Sequence, residues 1–355
     1  MRTKYAKHYV LSVVLSLCLV FLASVVHASS IVSHDIESTA IAKNAVGIKS
    51  LRNILVYLPD GYEDGKHRYP VIYWIPGWGS GAGAGGGTYQ KVLDNAIQSG
   101  KITPVIVVSV DVHEGILCLN SPIVGNWEDF MVSELVPFID KTYPTIPDPN
   151  ARGLAGHSAG GYTALMLPLL HPNIWGSVGG NDPALWITNM YASVSPPFPQ
   201  NLNEYASATL YNKILLQLAS SFSPNPDSPI LCDLPVTPNG VRLPEVLEKL
   251  GNYDLMIPNT LDHYTETLKN FLSITIVVPE IMDGTTNSSW NIGFINYLQS
   301  AGITTTRLDM PGAHASFMPE RFIAIAEELL KAMQGSGTSV SPKGKASTLW
   351  GEIRR

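Results

Sequence analysis

Residues 152–163 read RGLAGHSAGGYT and contain the pattern G-x-S-x-G at Gly156, Ser158 and Gly160. The stretch begins as a short strand, and the helix-like run YTALMLPLLHP follows it. A serine on a sharp strand-to-helix turn adopts a strained backbone that exposes its hydroxyl. The residues two before and two after it must be small, because strand and helix pass close together. We therefore predict that Ser158 is a nucleophile.

A nucleophilic serine needs a base, and in this type of fold the base follows the acid in the chain. Three histidines lie downstream of Ser158. His171 is predicted to cap a helix end, and His263 lies in a region rich in proline and asparagine. His314, in DMPGAHASF, follows the last predicted strand at the same sheet edge as the serine. His314 is therefore the predicted base.

The acid that orients the base is predicted after the penultimate strand, in IVVPEIMDGTTN. Asp283 occupies the usual position, and Glu280 is the alternative three residues earlier. Asp283 also begins an Asp-Gly pair, which is a turn signal in its own right.

Apolar strand-like runs alternate with helical ones, which predicts an α/β fold with a mostly parallel sheet and helices on both faces. The continuous apolar runs PVIYWIP and TPVIVVSVDV are typical of strands that are covered on both faces. LRNILVYLP alternates polar and apolar residues, which favours an antiparallel strand near an edge. Residues 183–272 are too long for a simple crossover and are predicted to form an inserted cap.

The first 28 residues are predicted to be a signal peptide, with a basic start, the apolar run YVLSVVLSLCLVFLASVV and small residues before Ser29. This indicates a secreted or periplasmic protein without stable membrane insertion after cleavage. An uncleaved anchor is the alternative, because the apolar run is long enough to span a bilayer. Residues 29–334 are predicted to form the main domain and residues 335–355 a flexible tail.

Residues 1–28 carry three basic and no acidic side chains, so the formal net charge changes from −6 to −9 without them. That charge disfavours nucleic acid and anionic membranes as partners. Cys118 and Cys232 remain, either as a disulfide of an exported protein or as two unpaired thiols. The spacing of cysteine and histidine does not fit a zinc site, and no metal or cofactor is predicted.

Residues 77–88 read GWGSGAGAGGGT and include G-x-G-x-x-G at Gly81, Gly83 and Gly86. This pattern is typical of dinucleotide binding, and Asp111 at the end of VIVVSVD imitates the ribose-binding acid. However, Gly81 lies six residues beyond Ile75, too far from the strand for such a turn. We therefore predict that residues 79–87 form a flexible lip at the mouth of an active site.

Four segments together resemble the Putative esterase family of esterase D type within the α/β-hydrolases, which includes feruloyl esterases and mycolyltransferases. The segments are ILVYLPDGYEDGKHRYPVIYWIPG, NSPIVGNWEDFMVSELVPFIDKTYPT, RGLAGHSAGGYTALMLPLLHP and MPGAHASF. They cover about residues 45–185 and 272–325, in the order of the family. The resemblance implies an α/β-hydrolase fold, and it does not extend to the predicted cap.

The resemblance also implies the site residues: Ser158 as nucleophile, Asp283 as acid and His314 as base. The oxyanion hole then consists of the backbone amides of Ala159 and Trp78. The loop before the second amide usually reads His-Gly-x in the family, and here it reads Pro-Gly-Trp. Since the donor is backbone, the missing histidine does not remove it.

The implied reaction is ester hydrolysis through an acyl-enzyme, without a cofactor. The implied substrate is an ester of a small molecule or of a polysaccharide. Two alternatives remain open, an acyltransferase with an alcohol or sugar acceptor and a non-catalytic binding protein on a hydrolase scaffold. The oligomeric state is open as well.

Overall fold

The computed structural model describes residues 28–115, 117–185, 197–237, 239–251, 253–256, 258–282, 286–337 and 341–342. Its strands are β1 (Ser30–Glu37), β2 (Leu51–Leu58), β3 (His67–Arg68), β4 (Val71–Ile75), β5 (Ile106–Val110), β6 (Asn120–Ser121), β7 (Gly125–Asn126), β8 (Arg152–His157), β9 (Ser177–Asn181), β10 (Ser273–Pro279), β11 (Thr306–Met310) and β12 (Ser341–Pro342).

The α-helices are α1 (Gln90–Gln98), α2 (Trp127–Asp129), α3 (Val136–Thr142), α4 (Ala159–Leu170), α5 (Leu210–Phe222), α6 (Pro244–Leu250), α7 (Pro258–Asn270), α8 (Ser288–Ser300) and α9 (Met318–Gly335). A π-helical segment, Phe130–Leu135, joins α2 to α3. Short 3-10 turns also occur, two of them in the glycine run.

Eight strands form one sheet in the order β1-β2-β5-β4-β8-β9-β10-β11. β1 and β2 pair antiparallel, and β2 pairs antiparallel with β5. From β5 to β11 every neighbouring pair is parallel. The predicted mostly parallel α/β sheet is thus confirmed, including the antiparallel strand LRNILVYLP next to one edge.

The central strands are buried on both faces, as their continuous apolar sequences predict. Every residue of β4 and β5 is buried. One face of the sheet packs against α1 and α9 through Ile72, Trp74 and Phe322. The opposite face packs against the helices between α2 and α4, where Tyr73 and Trp127 are fully buried. These two apolar layers hold the carboxyl ends of the parallel strands at one edge.

The region predicted as a cap contains α5, α6 and α7. Its apolar side chains join the main core cluster, and polar groups link it to elements around the sheet. The Gln217 side chain donates a hydrogen bond to the Glu114 carbonyl, 2.8 Å away, in the segment that follows β5. The Tyr162 hydroxyl of α4 donates to the Tyr253 carbonyl at 2.6 Å. The insertion therefore lies against elements at the carboxyl edge of the sheet. Its predicted boundaries, and those of the main domain, stay predictions.

Both predicted terminal segments fall largely outside the described residues. The predicted signal peptide lies there except for Ala28. In the described part of the chain, no helix has the length and apolar character needed to cross a membrane. Within the predicted tail, Ser341 and Pro342 pair antiparallel with Arg68 and His67.

Cys118 and Cys232 are both free, buried thiols, so the disulfide considered from the sequence is absent from the structure. Cys118 lies in the main core, where its thiol hydrogen-bonds Thr163 of α4. The backbone of Cys232 pairs antiparallel with that of Pro224 inside the insertion. Burial raises the pKa of each thiol to about 12, so both are protonated at neutral pH.

The glycine run packs more tightly than a flexible lip. A side chain at Gly85 would place its Cβ 2.3 Å from Ser109 Oγ and 2.9 Å from the Trp74 ring. At Gly86 the same atom would lie 2.7 Å from the Phe322 ring. The prediction of a flexible lip is therefore wrong for these positions. They are glycine because two 3-10 turns lie directly on the sheet and on α9.

We predict that Gly85→Ala destabilises the protein by about 1–3 kcal/mol, because the new methyl group overpacks the contact with Ser109 and Trp74. Gly83→Ala is the matched control, since a Cβ at this position would meet nothing within 4 Å. The control should be neutral or stabilise the protein by up to ~1 kcal/mol. Equal melting temperatures for the two variants would contradict the packing described here.

Candidate active site

Ser158 lies between the end of β8 and the start of α4, with φ 54° and ψ −116°. A side-chain Cβ at Gly156 would lie 2.2 Å from the Gly160 carbonyl oxygen. At Gly160 it would lie 2.2 Å from the Ile75 carbonyl oxygen. Only glycine fits at these two positions, so the strained strand–turn–helix geometry predicted from G-x-S-x-G is present.

The loop after β4 contacts the turn that carries Ser158. A Cβ added at Gly77 would lie 3.7 Å from the Ser158 Cβ. The Ser80 amide donates to the Gly77 carbonyl at 3.2 Å, and Gly79 has φ 69°, which closes a tight turn. This turn does not use the Trp78 amide. Ala159 is the first residue of α4, so its amide has no intrahelical partner.

His314 lies in the loop between β11 and α9, and its side chain is 30% exposed. Its Nδ1 atom is 2.5 Å from Oδ2 of Asp182. Because a carboxylate only accepts hydrogen bonds, the Nδ1 atom of His314 is the donor in this contact. The His314 ring lies 4.5 Å, between centroids, from the ring of His157, the residue before Ser158.

Asp182 is fully buried directly after β9 and has φ 44°. Its carboxylate accepts hydrogen bonds from the Asn287 amide, at 3.1 and 3.2 Å, and from the Asn291 side chain, at 2.8 Å. Asn287 is the N-cap residue of α8 and Asn291 lies in its first turn, where the helix dipole favours a negative charge. With His314, three residues donate hydrogen bonds to this buried carboxylate.

The structure thus brings to His314 a carboxylate that was not predicted from the sequence. Asp283 lies outside the described residues, so its assignment as the acid stays a prediction. The alternative, Glu280, is exposed, and its backbone amide bonds the Met310 carbonyl. One signal in the sequence was available: Asp182 ends the strand-like run GSVGGND, immediately after the helix that follows Ser158.

Arg321 of α9 holds the backbone of the loop that carries His314. Its guanidinium is buried and donates to the carbonyls of Pro311, Gly312, Ala313 and His314, at 2.7–3.4 Å. A planar guanidinium with several fixed donors is suited to satisfying consecutive carbonyls. The loop is therefore fixed by polar contacts although it has no regular secondary structure.

The other histidines downstream of Ser158 lie in other environments. His171 follows α4, and its Nε2 atom is 3.0 Å from Glu128. His263 is exposed on α7, with its ring against Tyr264. His314 is thus the histidine of the three that the structure brings to Asp182.

The described residues contain no group of three or more histidine, cysteine or acidic side chains arranged to hold a metal ion. The glycine run also differs from a phosphate cradle. The amides of Ala84, Gly85 and Tyr89 donate to carbonyls within the run, and the Gly87 amide donates to Ser109. The Asp111 carboxylate bonds His113 at 2.9 Å and lies 3.9 Å from Arg52.

A family model matches the part of the chain that contains Ser158 and Asp182 but not His314. The family model described as "Putative esterase" matches residues 46–220. An endo-1,4-beta-xylanase/feruloyl esterase from Xylanibacter ruminicola is 34% identical over 135 residues, which are 35% of this chain and 18% of that protein. Esterase Rv1288 from Mycobacterium tuberculosis is 33% identical over 128 residues, 34% of this chain and 26% of that protein. The matched segment is thus a minor part of each of these longer relatives.

Solved structures extend the similarity in fold to most of the chain. A ferulic acid esterase superposes with a TM-score of 0.60 at 19% identity, covering 87% of this chain and 99% of the other. An S-formylglutathione hydrolase from Staphylococcus aureus gives 0.57 at 14% identity, covering 85% and 99%. At these identities the likeness concerns the fold, which is that of the α/β-hydrolases. The family match over residues 46–220 shows the likeness to the Putative esterase family, and the solved structures show the likeness in fold.

Proposed function

We propose that this protein is a serine carboxylic-ester hydrolase. Ser158 is the nucleophile, His314 is the base, and Asp182 is the acid that orients the base. The observation that carries the proposal is the 2.5 Å contact between His314 Nδ1 and the buried Asp182 carboxylate, beside the strained turn at Ser158. Asp182 is proposed here for the role that the sequence analysis assigned to Asp283.

In the proposed reaction, His314 Nε2 accepts the Ser158 hydroxyl proton while the serine oxygen attacks the ester carbonyl. Asp182 stabilises the resulting imidazolium through Nδ1 and does not itself take the proton. The Trp78 and Ala159 amides bind the oxyanion, each donor contributing about 10²–10³ in rate. His314 then protonates the leaving alcohol, and water releases the acid from the acyl-enzyme by the same sequence of proton transfers.

We predict that Ser158→Ala abolishes hydrolysis of p-nitrophenyl acetate and labelling by a fluorophosphonate probe, because both reactions need the serine oxygen. The variant should keep the melting temperature of the parent protein to within ~2 °C, since the turn geometry is retained. Activity equal to that of the parent would overturn the assignment. If the parent itself neither turns over an ester nor reacts with the probe, the protein is a binding protein on this scaffold.

Asp182→Asn is expected to lower kcat by about 10⁴, because an amide at this position favours the wrong tautomer of the base. Asp283→Asn and Glu280→Gln are the matched controls, and each should leave kcat within about threefold of the parent if Asp182 is the acid. All three are compared by kcat with p-nitrophenyl acetate. A large loss in Asp283→Asn, together with a small one in Asp182→Asn, would return the role of the acid to Asp283.

The proposed substrate is an ester with an apolar, aromatic acyl group on a small molecule or polysaccharide. Two relatives bear the names feruloyl esterase and ferulic acid esterase. In this chain, Phe317 is 52% exposed three residues after His314, and Ile281 and Met282 are 40% and 57% exposed after β10. Because β10 and β11 are parallel neighbours, these apolar side chains emerge at the edge that carries His314.

Phe317→Asn tests the acyl preference, because asparagine tolerates the φ of 53° at this position and removes the ring. The kcat/KM for methyl ferulate should fall roughly 10–200-fold, the usual range for losing one apolar contact in a pocket. The kcat/KM for p-nitrophenyl acetate should change by less than about threefold, because its acyl group has no ring to contact Phe317. Equal effects on both esters would contradict an acyl site at Phe317.

Two further parts of the proposal concern the acceptor and the location. Hydrolysis is favoured over acyl transfer only as the simpler reaction of the same site, so products should be analysed with and without a sugar acceptor. An acylated sugar as the main product would make the protein an acyltransferase. Export through residues 1–28, with cleavage before Ser29, is also proposed. A protein that is found inside the cell with residues 1–28 still attached would contradict it.

A further inference from the structure

His157 precedes the proposed nucleophile, and its imidazole touches three parts of the site. Its ring centroid is 4.5 Å from that of His314, with an angle of 40° between the ring planes. Its Nδ1 atom is 3.1 Å from the Asn181 carbonyl oxygen. A Cβ added at Gly77 would lie only 2.9 Å from His157 Cδ2, so the loop before Trp78 rests on the ring.

Asn181 joins this contact to the acid. Its carbonyl also accepts the Ser158 amide at 3.0 Å, and Asp182 is the next residue in the chain. Because a carbonyl only accepts, His157 donates from Nδ1, which fixes one tautomer of the ring. The ring is therefore held between the end of β9, the loop after β4 and the loop of His314.

His157 is an uncharged neighbour of His314. Burial, followed by the charge of His314 itself, lowers the pKa of His157 to about 3. Asp182 faces His314 from β9, and Arg321 from α9 binds the backbone carbonyl of His314. When His314 accepts a proton during catalysis, His157 stays neutral and adds no positive charge beside it.

We propose that His157 is a positioning residue for the base: its ring packs against His314 and keeps the imidazole aligned with Ser158 and with the loop that carries Trp78. The proposal rests on the proposed esterase function. It assigns no proton transfer to His157, because the ring contact with His314 accounts for its role.

His157 makes a ring contact with His314 and an Nδ1 hydrogen bond to Asn181, and different substitutions remove each of them. His157→Asn keeps an amide donor near the position of Nδ1 but removes the ring. His157→Phe keeps a ring against His314 but removes the donor, and the Asn181 carbonyl still accepts the Ser158 amide. His157→Ala removes both parts. His263→Ala is the matched control, because this histidine is exposed on α7.

With p-nitrophenyl acetate, His157→Ala should lower kcat by about 10–100-fold with KM within threefold of the parent, because misplacing a reacting group by ~1 Å has an effect of this size. His157→Phe should recover kcat to within roughly fivefold of the parent, whereas His157→Asn should stay near the alanine variant on the same geometric argument. His263→Ala should match the parent.

Three outcomes would overturn the proposal: a kcat for His157→Ala above half that of the parent, a loss that appears in KM alone, or recovery by asparagine and not by phenylalanine. If His157→Ala does not fold, the comparison of the asparagine and phenylalanine variants decides. An inactive parent protein would instead count against the esterase function. An active parent, with Ser158→Ala inactive and the histidine variants unaffected, would count against the positioning role alone.

Discussion

The close approach of three backbones at Ser158 is the constraint on which the site depends. β8 enters the turn and α4 leaves it so near to the end of β4 that a methyl group at Gly160 would overlap the Ile75 carbonyl. This contact forces Ser158 into a positive φ, and it also brings the loop after β4 against the serine. The proposed nucleophile and the proposed oxyanion amides are therefore positioned by one packing requirement, which only glycine at residues 156 and 160 satisfies.

The base side of the site depends on buried charge instead of close packing. Asp182 and Arg321 are both fully buried, and isolated ions in such places are strongly unfavourable. Asp182 is compensated by His314 and by donors from the start of α8. Arg321 is compensated by four consecutive carbonyls of the loop with His314. Moving that loop would take His314 away from Asp182 and the four carbonyls away from Arg321, so an irregular segment acquires a fixed position.

The parts of the fold and site that could be predicted from the sequence are those with a local cause. Short sequence patterns predict the buried strands β4 and β5, the turn at Ser158, and the place of His314 in the loop after β11. Asp182 could not be assigned in this way, because its role depends on how β9, α8 and the loop of His314 meet in space. The same holds for the glycine run, where contacts of Gly85 and Gly86 with Trp74 and Phe322 come from distant segments. The thiols of Cys118 and Cys232 are a third case, since cysteine spacing does not determine which structural layer each one enters.

The two sides of the site meet at the end of β9, and this explains why Asp182 suits the role of the acid. The Asn181 carbonyl binds the Ser158 amide, and the next residue presents its carboxylate to His314. Ser158 and His314 are thus hydrogen-bonded to two successive residues at the end of β9, Asn181 and Asp182. The ring of His157 packs against that of His314 beside them. An acid on a separate, longer loop would need that loop to be ordered independently, whereas an acid on β9 inherits its position from the sheet. The geometry of the proposed triad is in this sense a consequence of strand pairing between β8 and β9.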